Sequence, residues 1–344
     1  MNTPAPLDFS IRAVSPNFGV DASAAVGARL SAQTRREALV GGVVGAVAAT
    51  TASAHAGTPP TSHQVRHGRV EADGVRVFFR EAGAADAPVI LLLHGFANSS
   101  FYFRHLMPKL ADRFRLIAPD MPSFGFTEIP SERNYRFDFV SLSRTIAAFV
   151  DAMRLERYVI YVFDYGAPVG FELALTYPDR VAGMISQNGN AYLDGLGAEA
   201  WAPLWAYWRN PTVEGREALR TRMSFDGVRS AYFQGVPDPS CIEPESYTLD
   251  AAILARPGNA DLQIDLKLDY KRNLDRYPLY QEFLRTRRPK LLAVWGRNDL
   301  FFIPPGAEAF RKDVPDARIV FLDTGHFVLE THLDPMVEEI RGFF

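Results

Sequence analysis

With one cysteine, Cys241, in 344 residues, the chain cannot close an internal disulfide, so its stability has to come from a packed core. Long apolar runs are also missing. Nothing approaches the ~20 consecutive apolar residues that a membrane-spanning helix needs, so no integral membrane association is expected. Charge of one sign is scarce. Lys and Arg total 37 against 40 Asp and Glu, a net charge of -3, which argues against a nucleic-acid or anionic-membrane partner. No group of His, Cys and carboxylates has ligand spacing, so neither a metal nor a cofactor is expected. Oligomeric state leaves no mark on the sequence. What is present is ordinary globular composition, 47% hydrophobic and 22% charged, enough for a core of good size.

The first part of the chain differs from the rest. Residues 1–33 are rich in Ala, Ser and Pro without a period. Thr34-Arg35-Arg36-Glu37-Ala38-Leu39-Val40 follows, then a mildly apolar Ala/Gly/Val run, then Ala54-His55-Ala56 with small residues where a signal peptidase reads. Residues 1–56 read as a twin-arginine export signal. The protein is accordingly expected to be exported, periplasmic or secreted; an alanine-rich leader on a cytoplasmic protein is the alternative. Residues 57–68 read as a polar linker.

Strand and helix then alternate. Short apolar runs over Val75–Glu81, Pro88–Leu93, Phe114–Ala118, Tyr158–Phe163 and Val181–Gln187 read as strands. Between them, helical spacing marks Phe101–Leu110, Phe139–Met153 and Ala167–Tyr177. The alternation stops near Asn190, where a stretch rich in Trp, Tyr, Pro and Asn begins, and resumes near Lys290 with strands at Lys290–Trp295 and Ala317–Leu322 and a closing helix at Leu333–Phe344. The reading is α/β: a mostly parallel, doubly wound sheet from residues 69–189 and 289–344, with 190–288 as a helical cap insertion.

Such a sheet places its ligand site outside the carboxyl ends of the strands. His94-Gly95-Phe96, Asp164, Asp299 and His326 all fall there. Asp164 sits where an apolar strand stops and a helix begins, the layout of a nucleophile elbow with a carboxylate in place of serine. A carboxylate can displace a leaving group from saturated carbon and become an alkyl ester.

Through these motifs, with Phe163-Asp164-Tyr165-Gly166-Ala167-Pro168, Gly296-Arg297-Asn298-Asp299 and Gly325-His326-Phe327, residues 69–344 resemble the α/β-hydrolase superfamily, and within it the branch of epoxide hydrolases and haloalkane dehalogenases. The resemblance implies Asp164 as nucleophile, His326 as the base that activates water, and Asp299 as its acid partner. Glu330 and Asn188 are the alternatives at or near the acid position. It also implies an oxyanion hole from the amides of Phe96 and Tyr165, and leaves His94 a structural residue.

The leaving group separates the branches. A dehalogenase usually carries an indole donor directly after the nucleophile; here that residue is Tyr165, and Trp201, Trp205 or Trp208 would have to compensate. An epoxide hydrolase uses cap phenols. Tyr270 resembles one, the position of the other falls near the non-donating Leu204, and Tyr165, Tyr207 or Tyr232 are substitutes. The expectation is a cofactor-independent hydrolase acting on a small hydrophobic substrate and water, epoxide-hydrolase-like by preference. A haloalkane dehalogenase, or a non-catalytic ligand-binding protein on the same fold, are the alternatives.

Overall fold

Tyr158–Phe163 is the strand around which the molecule is organised, and all six of its residues are buried. Apolar on both faces, it can only lie mid-sheet with cover on each side. The computed structural model describes residues 63–344. The leader reading of residues 1–56 lies outside the described residues.

The strands in chain order are β1 (Arg66–Ala72), β2 (Val75–Ala82), β3 (Val89–Leu93), β4 (Arg115–Pro119), β5 (Tyr158–Phe163), β6 (Val181–Gln187), β7 (Leu291–Gly296) and β8 (Arg318–Leu322). They form one eight-stranded sheet in the order β1-β2-β4-β3-β5-β6-β7-β8. The pairs β1–β2 and β2–β4 are antiparallel, and every pairing from β4 to β8 is parallel. The α/β reading with a mostly parallel sheet holds. β1 corrects the linker boundary, since Arg66–Gly68, read as the end of the linker, already pair with Phe79–Glu81. Exposed alternate residues on an edge strand give little signal to find it by.

The helices are α1 (Leu106–Leu110), α2 (Phe139–Ala152), α3 (Gly166–Thr176), α4 (Ala198–Arg209), α5 (Val213–Arg220), α6 (Phe225–Phe233), α7 (Pro244–Leu254), α8 (Asn259–Arg287), α9 (Pro305–Ala309), α10 (Val328–Thr331) and α11 (Leu333–Phe343). α2 shows how local chemistry sets an element. The Asp138 side chain accepts from the Ser141 amide at its N-terminus, and Leu142, Ile146, Phe149 and Val150 turn one buried face toward the sheet. The helix expected over Phe101–Leu110 is instead a 3₁₀ turn, Ser100–Phe103, followed by α1. Asp120 holds that turn by accepting from the Ser100 amide at 2.6 Å.

Helices α4 to α8 lie between β6 and β7 and form the insertion. Its longest member, α8, packs on α2 and α3 of the core and on α4, α5 and α7 of the cap. Burial on several sides erases the one-faced period by which a helix is recognised in sequence. Among the described residues, no helix is long and apolar enough to cross a membrane.

Candidate active site

β5 delivers Asp164 into a turn that few residues tolerate. Its φ is +49°, in the left-handed region that Asp enters more readily than most side chains. Two glycines make room. A Cβ on Gly95 would lie 2.3 Å from the Asp164 Cβ, and one on Gly166 would lie 2.2 Å from the Leu93 carbonyl oxygen. The first lets the loop after β3 approach the carboxylate. The second lets α3 start flush against β3. The Phe96 amide then donates to Asp164 Oδ1 at 2.6 Å. Among the described residues no matching bond comes from the Tyr165 amide, although Tyr165 heads α3 directly behind the carboxylate.

His326 comes from the loop after β8. Its Nε2 stands 3.6 Å from Asp164 Oδ2, and its Nδ1 lies 2.6 Å from Asp299 Oδ2. Asp299 is fixed in turn, accepting from Asn188 Nδ2 at 2.7 Å and, through Oδ1, from the Phe301 amide at 2.7 Å. Burial works against a charged His326, but Asp299, then the hydrogen bonds to both carboxylates, outweigh it and push its pKa up to about 9.

The alternatives at the acid position separate cleanly. Glu330 pairs with Arg104 at 2.8 Å and accepts from Ser246. Asn188 accepts from the Gly296 amide at 2.9 Å while donating to Asp299, so it positions that carboxylate. His94 is fully buried, with Nε2 accepting from the Met121 amide at 3.0 Å, a bond that braces the loop.

Above Asp164 lies a cavity of about 470 Å³, bounded by Phe96, Tyr165 and His326 from the core and by Trp201, Leu204 and Tyr270 from the cap. The size suits a small or medium organic ligand. Two expected candidates do not reach it. Trp205 packs edge-on against Trp208 with ring centres 5.1 Å apart, and Tyr207 packs near Gly215 of α5; neither lines the cavity. The indoles nearby are committed, Trp201 Nε1 to the Phe301 carbonyl and Trp208 Nε1 to the Leu268 carbonyl, both at 2.8 Å. The phenols are freer. Tyr165 has a buried hydroxyl with no partner among the described residues, and Tyr270 has only the Tyr277 hydroxyl at 3.4 Å. Burial raises the pKa of both phenols well above the usual value, so they keep their protons.

Tyr232 also lines the cavity, stacked on Phe327 at 4.0 Å. Its hydroxyl and Asn98 Nδ2 both donate to Asp250 Oδ2, at 2.7 and 2.8 Å, a buried polar link between cap and core. Burial, only partly offset by these two bonds, pushes the Asp250 carboxyl up to about 8. A carboxyl whose folded pKa is raised favours folding most when protonated, so stability is lost as pH climbs from the ordinary carboxylate range through about 8. His326 titrates with the same sign between its ordinary range and about 9, so a variant is needed to isolate Asp250. Urea melts at pH 5 and pH 8.5 should show a smaller pH penalty for Asp250→Asn than for the unmodified chain. Equal penalties would remove Asp250 from the account.

Sequence reasoning passed over two further cavity residues, Arg222 and Lys267. Lys267 carries a signal that an identified α8 would have exposed, since it precedes Tyr270 by one helical turn and shares its face. Arg222 sits in a 3₁₀ turn, Thr221–Met223, and carries none.

The chain belongs to the α/β hydrolase fold family, whose model matches residues 88–333, and is an enzyme of that family. It is 47% identical over 275 residues to an uncharacterized hydrolase of Saccharomyces cerevisiae, covering 79% of this chain and 94% of the relative. It is 29% identical over 276 residues to haloalkane dehalogenase 2 of Mycobacterium tuberculosis, covering 77% of this chain and 90% of that one. Among solved structures it is similar in fold to the epoxide hydrolase CorEH, with a TM-score of 0.68 at 18% identity, covering 82% of this chain and 99% of that chain.

Proposed function

We propose that the protein is a cofactor-independent hydrolase that opens epoxides through an alkyl ester on Asp164. The observation that carries the reading is what meets at one carboxylate: the Phe96 amide at 2.6 Å, His326 Nε2 at 3.6 Å, and the mouth of the cavity above it. In this mechanism an Asp164 oxygen attacks an oxirane carbon, the C–O bond breaks, and the ring oxygen takes a proton from Tyr270 or Tyr165. His326 then removes a proton from water, which adds to the ester carbonyl. The Phe96 amide meets the developing oxyanion, and Asp299 stabilises the imidazolium. Collapse of the intermediate breaks its bond to the alkyl oxygen, which takes the His326 proton to complete the diol, and the carboxylic acid left on Asp164 gives its proton back to the phenolate.

The charge of Asp164 is among the causes that raise the His326 pKa. Esterification removes it, so the imidazole becomes easier to deprotonate at the step that needs a neutral base. The preference for an epoxide over a halide rests on the phenols. The indole donors that the dehalogenase resemblance calls for are not free, since the Trp201 and Trp208 indoles are both engaged elsewhere. In our reading of residues 1–56, the enzyme works after export.

Single-turnover hydrolysis of a neutral alkyl epoxide in H₂¹⁸O, with enzyme in excess, tests the core step. Label should enter the Asp164 carboxylate and be absent from the first diol formed. Label in the diol with none on Asp164 would mean direct attack by water. A parallel panel of haloalkanes, with halide release followed, separates the dehalogenase alternative.

A further inference from the structure

Lys267 and Arg222 both line the cavity, and among the described residues neither makes an ion pair. Lys267 Nζ lies 4.5 Å from the centre of the Phe96 ring and 5.9 Å from that of Tyr165, the two residues that flank Asp164. Arg222 places its guanidinium 5.3 Å from the centre of the Phe301 ring, next to the residue whose amide holds Asp299. Faces of aromatic rings attract a cation only weakly. Lys267 and Arg222 are both half-buried, and withdrawing an ammonium and a guanidinium from water without a counter-charge is unfavourable. Sheltered arginines elsewhere avoid this. Arg104 holds Glu330, Arg133 holds Asp73, and Arg276 holds Glu172.

The local charge count is also lopsided. Lys267, Arg222 and His326 share the cavity with Asp164, and the other carboxylate lining it, Asp226, is exposed. His326 is already neutralised by Asp299 at 2.6 Å. Two cations thus face one internal carboxylate, which loses its charge once esterified. Burial, then repulsion from Arg222, lower the Lys267 pKa to about 8, which leaves the ammonium mostly charged near neutrality.

We infer that the cavity is built for an anionic ligand: a chain of moderate length, apolar along its body, ending in a carboxylate held by Lys267 and Arg222. The inference rests on the Asp164 site for its place in catalysis, where it narrows the substrate to an epoxide bearing a carboxylate. As a binding statement it stands independently of the ester chemistry.

Calorimetric titration at pH 7 with octanoate and with octanamide, near-isosteric probes that differ in charge, reads the inference without turnover. Octanoate should bind about tenfold or more tightly than octanamide, as expected for a charge-assisted contact in a sheltered site. The ratio should fall with Lys267→Met or Arg222→Met and approach one in the double variant. Octanamide binding should persist in all three, which reports that the cavity is still folded. Equal affinities for the two probes in the unmodified protein would overturn the inference, as would an octanoate preference that survives in the double variant. Failure of ¹⁸O transfer to Asp164 would end the ester reading and leave this result untouched.

Discussion

Asp164→Asn is expected to lower kcat by about 10⁴-fold or more while leaving the melting temperature nearly unchanged, on the scale seen when a nucleophile is removed from a catalytic set. The substitution is chosen for the backbone. Asp164 has φ +49°, and Asn is one of the few residues as much at home there, whereas Ala would add strain. Asn also keeps an oxygen for the Phe96 amide and a polar group toward His326. What it loses is the negative charge and the ability to form an ester. Full activity in Asp164→Asn, with the amide intact by mass spectrometry, would move the nucleophile elsewhere. A loss of activity matched by a large drop in melting temperature would point to a structural role for the carboxylate.

His326→Gln should divide the reaction in two. Alkylation needs the Asp164 carboxylate and a proton donor, and the phenols supply the latter. Hydrolysis needs the base. The variant should therefore consume about one equivalent of epoxide and stop, with the alkyl group on the peptide that contains Asp164. The geometry sharpens the expectation. The imidazole spans from Asp299 Oδ2 at 2.6 Å to Asp164 Oδ2 at 3.6 Å, and the Gln amide that would stand in its place is no base at neutral pH. Steady-state turnover should fall about 10³-fold or more. Unchanged turnover would remove His326 from the reaction. Loss of turnover with no adduct would mean that the histidine also serves the first step.

The core was legible because its strands carry their burial in their composition. Val89–Leu93 and Tyr158–Phe163 are apolar at every position, and a turn with a polar residue ends each one. The meeting of Asp164, Asp299 and His326 followed from position, since strand ends converge on one edge of a parallel sheet whatever the detail of packing. The cap resisted for the opposite reason. α8 meets neighbours on several sides, so its pattern has no preferred face, and Pro278 inside it reads as a helix end. With α8 undefined, Tyr270 could be named by resemblance, while Lys267, three residues earlier on the same face, passed unseen. Trp205 and Tyr207 illustrate the converse error: residue type suggested a donor, but the turn of α4 carries them away from the cavity. Only the geometry distinguishes Trp201, whose indole donates to the Phe301 carbonyl, from an indole free to bind a leaving group.

The footing of α8 has a practical meaning for anyone reshaping the enzyme. Glu172 of α3 receives Arg276 at 2.6 and 2.8 Å and Tyr280 at 2.9 Å, and Gln281 donates to the Ala191 carbonyl at 2.9 Å. The half of α8 beyond Tyr270 is thereby bolted to the core through a charged cluster, while α4 meets the core through the Trp201 indole and the 221–234 segment through the Tyr232 hydroxyl. Library positions at Ala200, Leu204 and Ser230 change the shape of the chamber alone. Changes along α8 disturb that charged cluster and the chamber wall that carries Lys267 and Tyr270 together, so engineering for new substrates should begin on the opposite wall.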